Sequence, residues 1–382
     1  MARRHSWIAI SMLMPMAAVH AQIAVSANDG KVAPADAPGE PRTADSVAIL
    51  DIGHDRVRTL ATLPVPATVV GPPAGVALTA DSRLAIVTAG QILDEAATPV
   101  PGDIVTVIDL SRPSAPRVAQ TLHAGTGAAG VAINPAGTLV LVANTGADTV
   151  SVFTLGNRRL ALTGTVMLEP KSRPVDVAFG NGGRSAYVVA QGTNSLLRLA
   201  IDGTHVVRAG AAIMVGAGPY SLTLDPRRQI AFVSHLGGRA PSATPGPKPG
   251  AIGIVDLKVG RMVGQVDTGI TPEHVGLSPT KRYLQVTVNN GSTLPSVSPA
   301  FHDHGLMTIY RLSGTTLMPV AETKTGRWCQ GAVWSADEKS VLLQCSLRKQ
   351  IEVYRFDGRS LAAAELIQFD ARPGAIATAL SR

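Results

Sequence analysis

The chain has 382 residues, of which 45% are hydrophobic and only 4% aromatic, so its core must be built from Val, Leu, Ile and Ala, which suit stacked sheets. The 38 Gly and 27 Pro exclude a mainly helical protein and favour a β-rich chain with many turns. The formal net charge is +7, but the basic residues are dispersed and form no aromatic-rich basic patch, which argues against nucleic-acid binding.

The N-terminal residues have the pattern of a secretory signal peptide. Arg3 and Arg4 precede an apolar run over residues 7–19 that ends in small residues. This pattern predicts a signal peptide over residues 1–21. The run is too short to span a membrane, and no later stretch is long enough. We therefore expect the mature chain, residues 22–382, to be periplasmic or secreted and to have no transmembrane segment.

The stretch over residues 130–155 provides the pattern for the rest of the chain. It reads GVAINPAGTLVLVANTGADTVSVFTL and contains three apolar runs separated by two turn signals, NPAG and NTG. Proline and glycine do not suit a strand interior, so the runs must fold back as antiparallel strands. Six such hairpins occur along the chain, and each is followed by a third apolar strand and a weaker, more polar fourth strand.

The repeat predicts an all-β fold, a seven-bladed β-propeller with four antiparallel strands per blade. Equivalent residues of the innermost strands recur about every 44 to 57 residues, which matches propeller blades. These residues are Val76, Val131, Val177, Leu222, Val275, Ala332 and Ile376.

The seventh blade is predicted to combine both chain termini. Residues 372–378 supply only an inner strand, and residues 23–26, 46–52 and 56–63 supply the three strands that are missing. Pairing them closes the ring and removes the exposed sheet edges. We expect a single domain and a monomer.

Strands such as LVLVANTGADTVSVFTL resemble the YVTN-repeat family of β-propellers, whose blades carry a Tyr-Val-Thr-Asn-type second strand and a Thr-Val-Ser-Val-Ile-Asp-type third strand. The resemblance covers nearly all of the mature chain and implies the propeller fold. This architecture hosts lactonases, lyases, oxidoreductase subunits and binding proteins, so it leaves the activity open. No lactonase motif maps onto this chain residue by residue.

Four connections between second and third strands are long, and their shared topological position predicts that they lie on one face. They span residues 28–45, 90–103, 236–250 and 290–304. Loops on a rigid scaffold commonly carry function, so we expect this long-loop face to bind a ligand or a protein partner around the central channel.

Polar residues near the strand ends should line the mouth of the channel, mainly in the fourth to sixth blades. The predicted ligand-binding residues are Tyr220, Trp328, Gln330, Asn144, Gln191 and Asn289. Trp328 offers an aromatic face for stacking on a sugar. The expected partner is a small anionic molecule, a saccharide or a protein.

A metal site is one further hypothesis for this face. His302 and His304 are one residue apart and would point the same way in an extended strand, and His235 should lie nearby. Histidine and carboxylate ligands suit zinc or another divalent ion. A divalent metal is the only cofactor that the sequence suggests.

Acid–base catalysis is the other hypothesis. Glu273 and His274 are adjacent candidates for proton transfer, and Arg173 and Arg372 are candidates for holding an anionic group. A lactonase-like hydrolase or a lyase, with or without a metal, is therefore the alternative to a binding protein. No Gly-x-Ser-x-Gly elbow or phosphate-binding glycine loop occurs.

The two cysteines flank a predicted hairpin. Cys329 and Cys345 should lie almost opposite each other when this hairpin folds. An exported location permits a disulfide, whereas two buried thiols are the alternative.

Overall fold

The computed structural model describes residues 22–33, 39–237 and 248–379. The predicted signal peptide and most of the connection over residues 236–250 lie outside these ranges. Within them, no helix is long and apolar enough to cross a membrane.

The strands group into seven sheets in chain order. The first three strands of the chain belong to one sheet, blade 7, and are β1 (Gln22–Asp29), β2 (Ser46–Ile52) and β3 (Val57–Leu63). Blade 1 contains β4 (Val76–Leu78), β5 (Leu84–Leu93), β6 (Pro99–Asp109) and β7 (Arg117–His123). Blade 2 contains β8 (Ala128–Ile133), β9 (Leu139–Asn144), β10 (Thr149–Gly156) and β11 (Arg159–Met167). Blade 3 contains β12 (Pro174–Gly180), β13 (Ser185–Ala190), β14 (Ser195–Asp202), β15 (His205–Arg208) and β16 (Ile213–Met214).

The remaining blades follow the same plan. Blade 4 contains β17 (Pro219–Asp225), β18 (Ile230–His235), β19 (Gly250–Asp256) and β20 (Arg261–Gly269). Blade 5 contains β21 (Pro272–Leu277), β22 (Tyr283–Val288), β23 (Gly305–Ser313) and β24 (Thr316–Thr325). Blade 6 contains β25 (Cys329–Trp334), β26 (Ser340–Cys345), β27 (Gln350–Phe356) and β28 (Leu361–Gln368), and the last strand is β29 (Arg372–Thr378). Two short 3-10 helices lie in blade 3, at Asn181–Gly183 and Gln191–Thr193.

The ring closes as the sequence predicts. Blade 7 has the strand order β29-β1-β2-β3, and β29 pairs with β1 from Ala24–Thr378 to Asp29–Arg372. Each innermost strand contacts the innermost strand of the blade on either side. The seven blades of four antiparallel strands and the shared terminal blade are therefore confirmed.

Packing between blades explains the strand patterns. The second and third strands are buried on both sides because neighbouring blades cover them; Val105 of blade 1, for example, packs in one cluster with Val142 and Phe153 of blade 2. The outer strands face solvent on one side, and β20 alternates regularly between exposed and partly buried residues. This half exposure accounts for the more polar fourth strands.

Two local features differ from the expected pattern. The outer strand of blade 3 is split, because β15 and β16 pair separately with β14. The connection over residues 90–103 is mostly not an irregular loop, because β5 and β6 continue into it and pair as far as Leu93 and Pro99. The alternation of small and apolar residues there was too weak to reveal a hairpin.

Candidate functional site

Bulges mark the start of the innermost strands at the long-loop face. The register shifts at this point in blades 2 to 7. In blades 2, 3 and 7 the bulge contains Ala129, Val175 and Gly374, respectively. In blades 4, 5 and 6 it contains Tyr220, Glu273 and Gln330. A bulge redirects a side chain and is frequent at functional sites, so three adjacent blades present polar groups at this mouth.

Glu273 is a buried carboxyl group at this mouth. It is 7% exposed, and Asn289 Nδ2 donates a hydrogen bond of 2.6 Å to its Oε1 atom. No described residue donates to Oε2. Burial raises the pKa of this carboxyl to about 8, and the bond from Asn289 offsets only part of that effect. The side chain is therefore mostly protonated at neutral pH.

Other polar side chains, from blades 4 to 6, lie at the same mouth. Burial, followed by the charge of Glu273, raises the pKa of Tyr220 well above its ordinary value. Asn289 Oδ1 and Gln330 Oε1 are buried and receive no hydrogen bond from the described residues. His274 faces the channel cavity, and its Nδ1 atom lies 3.0 Å from Gln285 Oε1.

The connection between blades 7 and 1, residues 64–75, fills the other side of the mouth. Asp29 and Gln330 hydrogen-bond the N–H and the carbonyl of Val69, respectively, at 2.9 and 3.3 Å. Asp45 and Lys31 bind the N–H and the carbonyl of Ala67 in the same way. We call this segment the connector; the sequence analysis did not single it out, although its length and its Pro-Pro pair were visible.

The connector reaches the channel itself. Pro73 lines a cavity of about 30 Å³ together with Leu222 and His274 of blades 4 and 5 and Ala332 of blade 6. A Cβ atom added to Gly331 would lie 2.9 Å from Pro73, so the two segments touch. The connector therefore contacts blade 6 beside the channel.

The two candidate arginines have different environments. Arg372 is 2% exposed and donates to the carbonyls of Val32, Ser346 and Leu347 and to the carboxylate of Glu40. Its guanidinium holds chain segments together and has little capacity left for a ligand. Arg173 is exposed on the rim, and its backbone N–H donates to Asp148.

The three candidate metal ligands do not form one group in the described structure. His235 is 2% exposed, accepts a hydrogen bond from Gly216 N at Nε2, and has a pKa lowered to about 4 by burial. His302 and His304 lie in the loop after β22 rather than in a strand, with ring centroids 6.0 Å apart.

His302 and His304 each contact a residue of their own loop. His302 donates to the carbonyl of Asn290, and His304 pairs with Asp303. Among the described residues, only Cys329, Cys345 and Glu352 bring three candidate ligand atoms within 4.8 Å of one another. Those two cysteines form a disulfide, on opposing residues of β25 and β26. The metal site therefore stays a prediction.

The remaining candidates lie around the rim. Trp328 is partly exposed, and its N–H donates to Ser292 Oγ in the loop of blade 5. Asn144 braces its own blade by donating to Thr149 and Ser151. Gln191 lies in a short 3-10 helix and is partly exposed. Of this group, Trp328 lies in blade 6, next to the polar bulges.

Comparison with known proteins supports the fold. No known family model matches the sequence. A seven-bladed β-propeller protein of Mycobacterium tuberculosis is 29% identical over 149 residues, which are 37% of this chain and 33% of the relative. The match thus spans about a third of that relative. This chain is a seven-bladed β-propeller.

Solved structures resemble this propeller along almost its whole length. A putative 6-phosphogluconolactonase from Bacteroides uniformis has a TM-score of 0.70 and 16% identity, covering 94% of this chain and 99% of its own. A functionally unknown protein from Desulfotomaculum acetoxidans has a TM-score of 0.66 and 14% identity, covering 94% and 98%. At these identities the likeness establishes the propeller fold alone.

Proposed function

We propose that this propeller binds a small uncharged molecule with several hydroxyl groups, such as a saccharide, on the side of the long-loop face formed by blades 4 to 6. The observation that carries this proposal is a set of buried polar atoms without a partner among the described residues: Glu273 Oε2, Asn289 Oδ1 and Gln330 Oε1. Each such atom costs about 1–3 kcal/mol. Ligand hydroxyl groups can donate to the two amide oxygens and accept from the protonated carboxyl group of Glu273.

The charge of the site favours a neutral ligand over an anionic one. Glu273 is buried, and an anion would oppose its ionisation. Arg372 is already bound to three carbonyls and Glu40. Arg327, the next nearest cation of blade 6, donates to Ser292 O and lies 5.1 Å above the ring of Phe301. Amide and carboxyl groups beside Tyr220 and Trp328 suit a sugar.

Hydrolysis of a sugar lactone is the second candidate function. Its support is the pKa of Glu273, about 8, which places proton transfer near neutral pH. The solved structure described as a putative 6-phosphogluconolactonase has the same fold. In this mechanism water attacks the lactone carbonyl and the ring C–O bond breaks. Glu273 gives its proton to the leaving ring oxygen and takes one from the attacking water, and Asn289 orients the carboxyl group of Glu273 through the bond to Oε1.

Two substitutions of Glu273 separate binding from catalysis. Glu273→Gln keeps a neutral group with a donor and an acceptor, whereas Glu273→Leu removes both. Isothermal titration calorimetry with glucose, gluconate and glucono-lactone should show affinity for the neutral compounds, a loss of about tenfold or more in the Leu variant, and a smaller loss in the Gln variant. Glu95→Gln, in the exposed hairpin of blade 1, serves as the control.

The outcomes are distinct. If the Leu variant and the parent bind with equal affinity, Glu273 does not belong to the binding site. If the parent binds gluconate more tightly than the neutral compounds, the proposal of a neutral ligand is wrong. If the propeller hydrolyses the lactone, the Gln variant should lose roughly 10²–10⁴-fold in turnover while it still binds. Equal turnover in the Gln variant and the parent would exclude Glu273 as the catalytic acid or base.

A further inference from the structure

The two faces of the propeller differ in charge. The turns that join first to second strands and third to fourth strands all lie opposite the long-loop face, and we call this side the turn face. In blades 2 to 5 these turns contain Arg and Lys but no Asp or Glu. Their exposed basic residues are Arg158, Arg184, Arg227, Arg228, Lys258 and Arg282. Exposed basic residues therefore recur along one arc of the turn face.

Part of this charge is used to join blades. Arg158 pairs with Asp109 of blade 1 at 2.7 Å, and Arg282 pairs with Glu338 of blade 6 at 2.9 Å. Arg228 pairs with Asp225 at the end of its own strand. The carboxylates of these pairs are buried and the arginines are largely exposed, and each pair neutralises the two residues involved.

Three exposed cations of the turn face have no carboxylate partner among the described residues. No carboxylate of the described residues lies within salt-bridge distance of Arg184, Arg227 or Lys258, which extend from blades 3 and 4. Arg159 and Arg261, the first residues of the adjacent outer strands, are exposed beside them. The acidic residues at the strand ends here are Asp202, Asp225 and Asp256, and the last two accept hydrogen bonds from the turns that follow them. Basic side chains therefore dominate the field at the centre of the arc.

The connections of the long-loop face have a different composition. Lys171 and Arg173 follow Glu169, and the hairpin of blade 1 contains Asp94 and Glu95. Charges of both signs are interspersed on that face. The difference in charge between the two faces therefore comes from the composition of the turns. The overall charge of the chain alone does not account for it.

The shape of the turn face restricts the partner. Its turns are short. Two cavities on this side are lined by Arg158 and by Arg282, at the two ends of the arc, whereas Arg184, Arg227 and Lys258 line neither of them. Val259, beside Lys258 at the tip of a turn of blade 4, is 61% exposed. A flat basic surface with an exposed apolar tip suits an anionic bilayer, whereas a flexible polyanion is better held in a groove. We propose that the turn face of blades 2 to 5 docks on a membrane surface that contains anionic phospholipid.

Vesicle sedimentation tests this proposal on the full mature chain. We expect binding to vesicles of phosphatidylcholine with about 30% phosphatidylglycerol, none to pure phosphatidylcholine, and a steep decrease with added salt. The triple variant Arg184→Gln, Arg227→Gln, Lys258→Gln should bind roughly 100-fold more weakly, since each cation near an anionic surface contributes about fivefold. The matched control is Lys171→Gln, Lys324→Gln, Arg348→Gln, three exposed residues of the long-loop face that remove the same charge.

The control triple should bind nearly as well as the parent. An equal loss in both triples would show that only the overall charge matters and would overturn the proposal. Absence of binding to the anionic vesicles, with binding to the soluble polyanion dextran sulfate, would also overturn it and would assign the arc to a polymer. Because all six substitutions are exposed, near-ultraviolet circular dichroism should be unchanged, and ligand binding at Glu273 is measured separately.

Discussion

Replacing Glu273 with Gln is expected to raise the stability of the propeller at alkaline pH. The pKa of this carboxyl is about 8 in the folded chain, whereas its ordinary value, expected for the unfolded chain, is 4.5. Between these values the folded state keeps a proton that the unfolded state releases, so the free energy of unfolding falls as pH rises. The full cost above pH 8 is on the order of 5 kcal/mol, and the Gln variant avoids it.

Urea unfolding between pH 5 and pH 9 checks this expectation. The difference in the free energy of unfolding between the Gln variant and the parent should be small at pH 5, grow towards pH 8 and then level off. Glu95→Gln is the control, because Glu95 is exposed and its replacement should leave the pH dependence of the parent unchanged. A constant difference at all pH values would mean that Glu273 ionises normally in the folded chain.

Replacing Arg372 with Ala is expected to destabilise the fold by about 3–5 kcal/mol, because it leaves three backbone carbonyls without their donor. Glu40 keeps its ion pair with Lys349. Arg372 is 2% exposed and connects β29 to Ser346 and Leu347 of blade 6 and to Val32 after β1. Lysine should not restore the loss, since a single ammonium group cannot reproduce the forked geometry of the guanidinium.

The matched control is Arg173→Ala. This arginine occupies the same kind of position at the start of an inner strand, but it is exposed and should change the free energy of unfolding by less than about 0.5 kcal/mol. Chemical denaturation of both variants gives the comparison. Similar stabilities for the two would contradict the assignment of Arg372 to closure of the ring.

The sequence allowed the architecture to be predicted because each blade is encoded locally. Apolar second and third strands, turn signals and a polar outer strand repeat with little change, and the missing parts of the last blade were visible at the two ends. Trp334 of blade 6 packs between blades, because it stacks on Tyr283 of blade 5 and meets Phe356 edge-on. Such contacts follow from the period of the repeat.

The candidate site was less predictable because its partners are distant in sequence. Arg372 and Val32 are separated by 340 positions, and nothing local shows that their hydrogen bond exists. His235 packs against Gly216 and Gly253, where a Cβ atom would come within 2.2 and 2.4 Å of its ring. Aligning the starts of the seven inner strands would have placed Tyr220, Glu273 and Gln330 at one repeat position, and this was the strongest signal left unused.

Pairing of β29 with β1 has a consequence for biogenesis. One hydrogen-bonding edge of β1 stays uncovered until β29 has left the ribosome. Until then six sheets can assemble in order, but the nascent chain keeps an open flank that can recruit another strand. Synthesis that halts before residue 372 should therefore yield a product prone to self-association.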